Sequence, residues 1–130
     1  MKLSQAIREG KKFGDFRSAY QERGGCRTCA IGGALKAALG CENVNDLSHM
    51  VMDKCEQVWP EIAKIEIPCP LHGTEHSDGT YDCSQEGGYE ELGKDAKGSP
   101  FRIASHLYSD HNWSKDEVAK WIEETVEKAV

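Results

Sequence analysis

Over most of this chain the apolar residues recur every three or four positions, the spacing of one helix face, and in one long stretch they almost vanish. Ser4 to Glu9 predicts a short helix ended by Gly10. Phe13, Phe16 and Tyr20 carry the same spacing into a second short helical or irregular segment, and Gly24-Gly25 breaks the chain before Cys26. From Thr28 to Leu39 the pattern is helical again. Ala30, Ala34 and Ala38 form one row, Ile31, Leu35 and Leu39 lie beside it, and Gly40 supplies the stop. Gly32 and Gly33 each cost such a helix up to about 1 kcal/mol relative to alanine. Close approach of another backbone is the natural compensation, so this helix is expected to be buried.

The next helix is predicted to begin near Asn45 or Asp46, with Leu47, Val51, Cys55 and Val58 as its stripe and Pro60 as its end. Lys64-Ile65-Glu66-Ile67 alternates like a short strand. Ser99-Pro100 reads as a cap followed by proline at the first helical position, with Ile103, Ala104 and Leu107 on the apolar side of the helix that follows. Ser114 and Glu117 form a capping box for the last helix, Trp113 is placed to staple onto Val118, and the stripe continues through Trp121, Ile122, Thr125, Val126 and Ala129.

Residues 68–99 break the pattern. Beyond Leu71, Tyr81, Tyr89 and Leu92 they hold almost no large apolar side chain and are rich in Gly, Asp, Glu and Ser. Connections longer than about 15 residues without structure of their own are uncommon in compact domains unless functional, disordered or otherwise organised. The expected fold is therefore mainly α (α+β). Residues 1–130 form a single small helical domain with a short β-hairpin or zinc-knuckle-like insertion, its strands near Ile65–Ile67 and Thr80–Cys83.

Composition fits that expectation. A chain of 130 residues can bury roughly two thirds of its unfolded surface, enough for one core. An apolar share of 38% beside 29% charged residues suits a folded domain with a thin core rather than a disordered chain. No stretch approaches the ~20 apolar residues of a membrane span, and the N-terminus lacks a signal-peptide core, so no membrane segment and a cytoplasmic location are expected. Glutathione keeps thiols reduced there, and the six cysteines are read as thiols or metal ligands rather than disulfides.

The net charge of −6 hides an asymmetry: residues 1–40 carry eight basic against three acidic side chains, and residues 41–130 carry eight against nineteen. The acidic two thirds argue against a general nucleic-acid binder, which needs a basic face. The basic first third is expected to pair with the acidic remainder. A protein partner is left open, as is the oligomeric state.

The most informative motif is Cys69-Pro70-Leu71-His72-Gly73. Zinc knuckles read Cys-Pro-x-Cys-Gly, in which a tight turn brings two ligands to one side; histidine in the second place is an equally good ligand. The same stretch offers His76 and Cys83, and Cys26-Arg27-Thr28-Cys29 offers a second pair of suitable spacing. Zinc would also explain the polar stretch, because an ion can order a loop that lacks hydrophobic content. The ligands expected are Cys69, His72 and Cys83, with Cys29 as the fourth and Cys26, His76 and His106 as its alternatives.

Other readings stand beside this one. Cys29 in the first turn of a helix, with Arg23 and Arg27 nearby, has the setting of a reactive thiolate, although no strand precedes it as in a thioredoxin-like unit. Cys55 on an apolar stripe reads as a packed core thiol, and Cys41 similarly. His106 and His111 have the spacing of a zinc-finger pair, but His111 falls beyond the predicted helix end, and both are read as structural. His49 joins no constellation. No nucleophile elbow, phosphate-binding glycine loop or His-Glu-x-x-His is present.

Ile103-Ala104-Ser105-His106-Leu107-Tyr108-Ser109-Asp110-His111-Asn112-Trp113-Ser114, continuing to Val118-Ala119-Lys120-Trp121-Ile122, resembles the C-terminal signature of small uncharacterised bacterial and phage proteins, I-x-x-H-L-N-D-x-H-x-W-S/T-x-E-x-I-A-x-W. Those proteins often carry an earlier helix beginning Cys-Ala-Leu/Ile-Gly-Ala, similar to Cys29-Ala30-Ile31-Gly32-Gly33-Ala34, and some have Cys-Pro-x-Cys upstream. The match covers about a third of the chain. Tyr108 and Ser109 stand where Asn-Asp is usual, and His72 replaces the second knuckle cysteine. The resemblance implies fold kinship and a phage or prophage origin, and no activity. The function expected is a non-enzymatic, zinc-stabilised interaction module. The alternatives are a thiol redox or small hydrolytic enzyme using Cys26 and Cys29, and a metal-free structural or protein-binding domain.

Overall fold

The computed structural model describes residues 1–16, 27–40, 50–71 and 97–129. It is mainly helical with one short sheet, as expected. In chain order the described elements are helix α1 (Leu3–Glu9), a 3₁₀ turn (Gly10–Phe13), helix α2 (Ala30–Leu39), helix α3 (Val51–Val58), strand β1 (Ile67–Pro68), strand β2 (Lys97–Gly98), helix α4 (Pro100–Ser109) and helix α5 (Lys115–Trp121). After α5 the coil widens to a π turn over Ile122–Val126 and tightens to 3₁₀ over Glu127–Ala129.

The apolar stripes meet in one core. Leu3 and Ile7 of α1, Ile31 and Leu35 of α2, Phe101, Ile103, Leu107 and Tyr108 of α4, and Ile122 are all fully buried. Trp59, just after α3, packs against Phe101 with ring centroids 6.1 Å apart and donates its indole N–H to the Met1 carbonyl at 3.0 Å. Cys55 is buried in this core, which agrees with a packed thiol.

Gly33 of α2 has the expected cause, close approach of another segment. A Cβ on Gly10 would lie 2.6 Å from the Gly33 carbonyl carbon, and one on Gly33 would lie 2.7 Å from Thr28 Oγ1. The end of α1 therefore crosses α2 backbone against backbone. Lys115 reaches into this crossing from α5. Only 3% exposed, its Nζ donates to the carbonyls of Gly10 (3.1 Å) and Gly14 (2.5 Å) and to Thr28 Oγ1 (3.0 Å).

Some boundaries held and others moved. Gly10 ends α1 as read, and at φ −68° it leads directly into the 3₁₀ turn, after which Gly14 takes φ +75°. Helix α2 starts at Ala30 rather than Thr28, because Cys29 is extended and caps it. Gly40 closes α2 at φ +66°, as read. The strand falls at Ile67–Pro68, and its antiparallel partner is Lys97–Gly98, with Ile67 opposite Gly98 and Pro68 opposite Lys97. This pair joins the two ends of the polar stretch. The predicted helix start near Asn45, the predicted strand at Thr80–Cys83, and Cys41 lie outside the described residues.

Candidate metal centre

The strand pair delivers Cys69 to the C-terminal end of α4. Cys69 follows Pro68, the last residue of β1, and is 3% exposed. Pro70 has no N–H, so the next amide is that of Leu71, which donates to Cys69 Sγ at 3.4 Å.

Helix α4 begins where the sequence sets it, with Ser99 Oγ accepting from Arg102 N–H at 3.3 Å. Its last turn carries His106, 1% exposed, whose Nδ1 lies 2.7 Å from Asp110 Oδ2. The helix then ends. The His106 carbonyl accepts from both the Asp110 and the His111 amides, at 2.7 and 3.3 Å, Asn112 takes a left-handed φ of +60°, and Trp113 N–H closes on the Leu107 carbonyl at 3.0 Å. This hook folds His111 back against His106, ring edge to ring face, with centroids 4.7 Å apart and planes at 88°. His111 Nε2 comes to 3.4 Å from Cys69 Sγ.

Cys69, His106 and His111 thus bring one ligand atom each to within 4.8 Å of one another, and among the described residues they are the group of three or more such side chains able to hold a metal ion. Zinc–sulfur bonds of about 2.3 Å and zinc–nitrogen bonds of about 2.0–2.1 Å put neighbouring tetrahedral ligand atoms roughly 3.3–3.6 Å apart. The sulfur–nitrogen edge already has that length. One cysteine sulfur and two imidazoles form a nitrogen and sulfur donor set able to hold a transition-metal ion rather than calcium or magnesium.

Of the residues singled out in the sequence as ligands, Cys69 and His106, an alternative for the fourth place, lie in this cluster, while His72, Cys83, His76 and Cys26 lie outside the described residues. Cys29 stands apart from the cluster: fully buried at the start of α2, it accepts the Gly32 N–H through Sγ at 3.3 Å. His111, for which a structural role was expected, joins Cys69 and His106 in the cluster. Five residues apart on a continuous helix the two histidines would point about 140° away from each other, given 3.6 residues per turn. The end of α4 at Ser109 and the hook that follows bring them together. The signal was their spacing, and the left-handed Asn112 is what made it usable.

No family model matches this chain, nor does any curated protein or solved structure with which it was compared. No helix among the described residues is long and apolar enough to cross a membrane.

Proposed function

We propose that this chain is a non-enzymatic, zinc-stabilised interaction module whose ion is held by Cys69, His106 and His111. The observation that carries the reading is the convergence of these three ligand atoms within 4.8 Å from two parts of the chain that are far apart in sequence. Burial of Cys69 and His106 favours a structural ion over an exposed catalytic one. A tetrahedral ion needs a fourth ligand, and His72 and Cys83 are proposed for that place on the strength of the knuckle motif. Kinship with the small bacterial and phage proteins belongs to the same proposal; it would set both ligand histidines inside the shared signature. A protein partner completes the reading of an interaction module.

Elemental analysis of protein purified without added metal tests this reading. About one zinc per chain is expected in the wild type, falling sharply in Cys69→Ser and His111→Ala. Less than about 0.2 zinc per chain, with folding unchanged in chelator, would sink it and leave the metal-free domain, in which Cys69 and His111 share an S–H···N hydrogen bond. Loss of zinc in His72→Ala or Cys83→Ser would identify the fourth ligand. The redox alternative draws no support from Cys29, whose sulfur is buried.

A further inference from the structure

We propose that Asp110 is a positioning residue of the metal centre, holding His106 in the tautomer and orientation that ligate the ion; this rests on the metal reading above. Asp110 sits four residues after His106, at the position that caps the C-terminal end of α4. Two links tie it to that histidine. Its amide donates to the His106 carbonyl at 2.7 Å, and its Oδ2 lies 2.7 Å from His106 Nδ1. Backbone and side chain therefore fix the carboxylate relative to the ring it touches.

The place is electrostatically costly for a carboxylate. The C-terminal end of a helix carries partial negative charge, which disfavours a second negative group. Burial adds a desolvation cost, and Asp110 is 8% exposed. Serine or asparagine would cap the turn without either cost. What an aspartate adds is a strong acceptor behind an imidazole. With the ring proton on Nδ1 and directed at Oδ2, the lone pair lies on Nε2, on the opposite side of the ring. A divalent ion bound there puts positive charge one imidazole away from the carboxylate, which offsets the cost of its position. The carboxylate in turn makes the imidazole a stronger donor and restricts its rotation. His111 gains indirectly, since the His106 carbonyl that accepts the Asp110 amide also accepts the His111 amide.

The test is titration of metal-stripped protein with cobalt or zinc, in the wild type and in Asp110→Ala and Asp110→Asn. Asp110→Ala is expected to weaken binding about 10–100-fold while one ion per chain still binds at saturation. Asp110→Asn, which keeps a carbonyl acceptor, should fall between. The cobalt–thiolate charge-transfer band of the saturated variants should match that of the wild type, because the ligands are unchanged. A second measurement needs no variant: nitrogen NMR of wild-type His106 should show the proton on Nδ1. Wild-type affinity in Asp110→Ala, or a proton on Nε2 of metal-free His106, would overturn the proposal. So would a loss of affinity matched by an equal loss of metal-free stability, since that marks a residue needed only for folding. If the wild type itself binds no ion, the metal reading has failed; if the wild type binds and the variants bind equally, only the role of Asp110 has failed.

Discussion

Lys115 shows how much one side chain can depend on the backbone around it. Its ammonium is buried among two carbonyls and a hydroxyl, each supplied by a segment that the crossing of α1 and α2 brings close. Replacing it with methionine keeps most of the volume and leaves those acceptors without their donor. The expected loss is about 3 kcal/mol, read as a lower urea midpoint with an unchanged slope. The glycines at the same crossing should invert the usual rule. Alanine normally stabilises a helix over glycine by about 1 kcal/mol. Here Gly10→Ala must force its Cβ against the Gly33 backbone at 2.6 Å, and backbone cannot yield as a side-chain tip can. Gly10→Ala should therefore destabilise by more than Gly33→Ala, whose nearest neighbour is the Thr28 hydroxyl. Thermal melts of the two variants check the order. Asn112 is a third case of this kind. Its φ of +60° suits asparagine or glycine and costs a β-branched residue about 1–2 kcal/mol. Asn112→Val should lower both stability and metal affinity, because the left-handed turn is what returns His111 to His106, whereas Asn112→Gly should leave metal affinity near the wild-type value.

At the level of elements, the parts legible in the sequence were those with local causes. The capping box of α5 is present in full: Ser114 Oγ accepts from Glu117 N–H at 3.1 Å, and Glu117 Oε1 accepts from Ser114 N–H at 3.1 Å. Ser114→Ala should cost about 1 kcal/mol, and Glu117→Gln much less, in equilibrium unfolding. Gly40 and Ser99-Pro100 were readable for the same reason, since a helix stop or start is specified within a few residues. The strand pairing was not. Lys97–Gly98 has no apolar alternation, and only its meeting with Ile67–Pro68 across a long separation makes it a strand. The site divides in the same way. Cys69 stood out because the knuckle motif is local to it. His106 and His111 are visible as a pair, but His111 lies beyond the predicted helix end, and no local pattern announces the left-handed turn at Asn112 that returns its ring to His106. The π turn after Trp121, where Thr125 Oγ1 donates to the Trp121 carbonyl, likewise left no mark on a stripe that continued at normal spacing.

Across the whole molecule the charge asymmetry resolves in part into contacts between the two ends of the chain. Arg8 pairs with Glu123 at 2.8 Å and Lys11 with Asp116 at 2.7 Å, tying the first helix and the turn after it to α5 and the π turn. The hydrogen bond from Arg8 holds the Glu123 carboxyl below its ordinary range. A carboxyl lowered in this way stabilises the fold above its unfolded pKa, and that contribution is lost as pH falls beneath about 4. Both partners are exposed, so the effect should be small and should vanish in 1 M salt; Arg8→Gln checks it. A bound ion would act on a different scale. Cys69 and the histidines are separated by 42 residues between Cys69 and His111, and an ion joining them closes that loop in the folded state only. At a free zinc concentration 100 times the dissociation constant, binding to the folded state alone adds about 2.7 kcal/mol. For a domain of this size that corresponds to a rise in melting temperature of roughly 10 °C. Cys69→Ser should abolish the rise and leave the metal-free melting temperature nearly unchanged, since serine fills almost the same space. A calorimetric scan with zinc and with chelator separates the outcomes. A wild-type protein whose melting temperature does not respond to zinc would mean that the three side chains pack together without holding an ion.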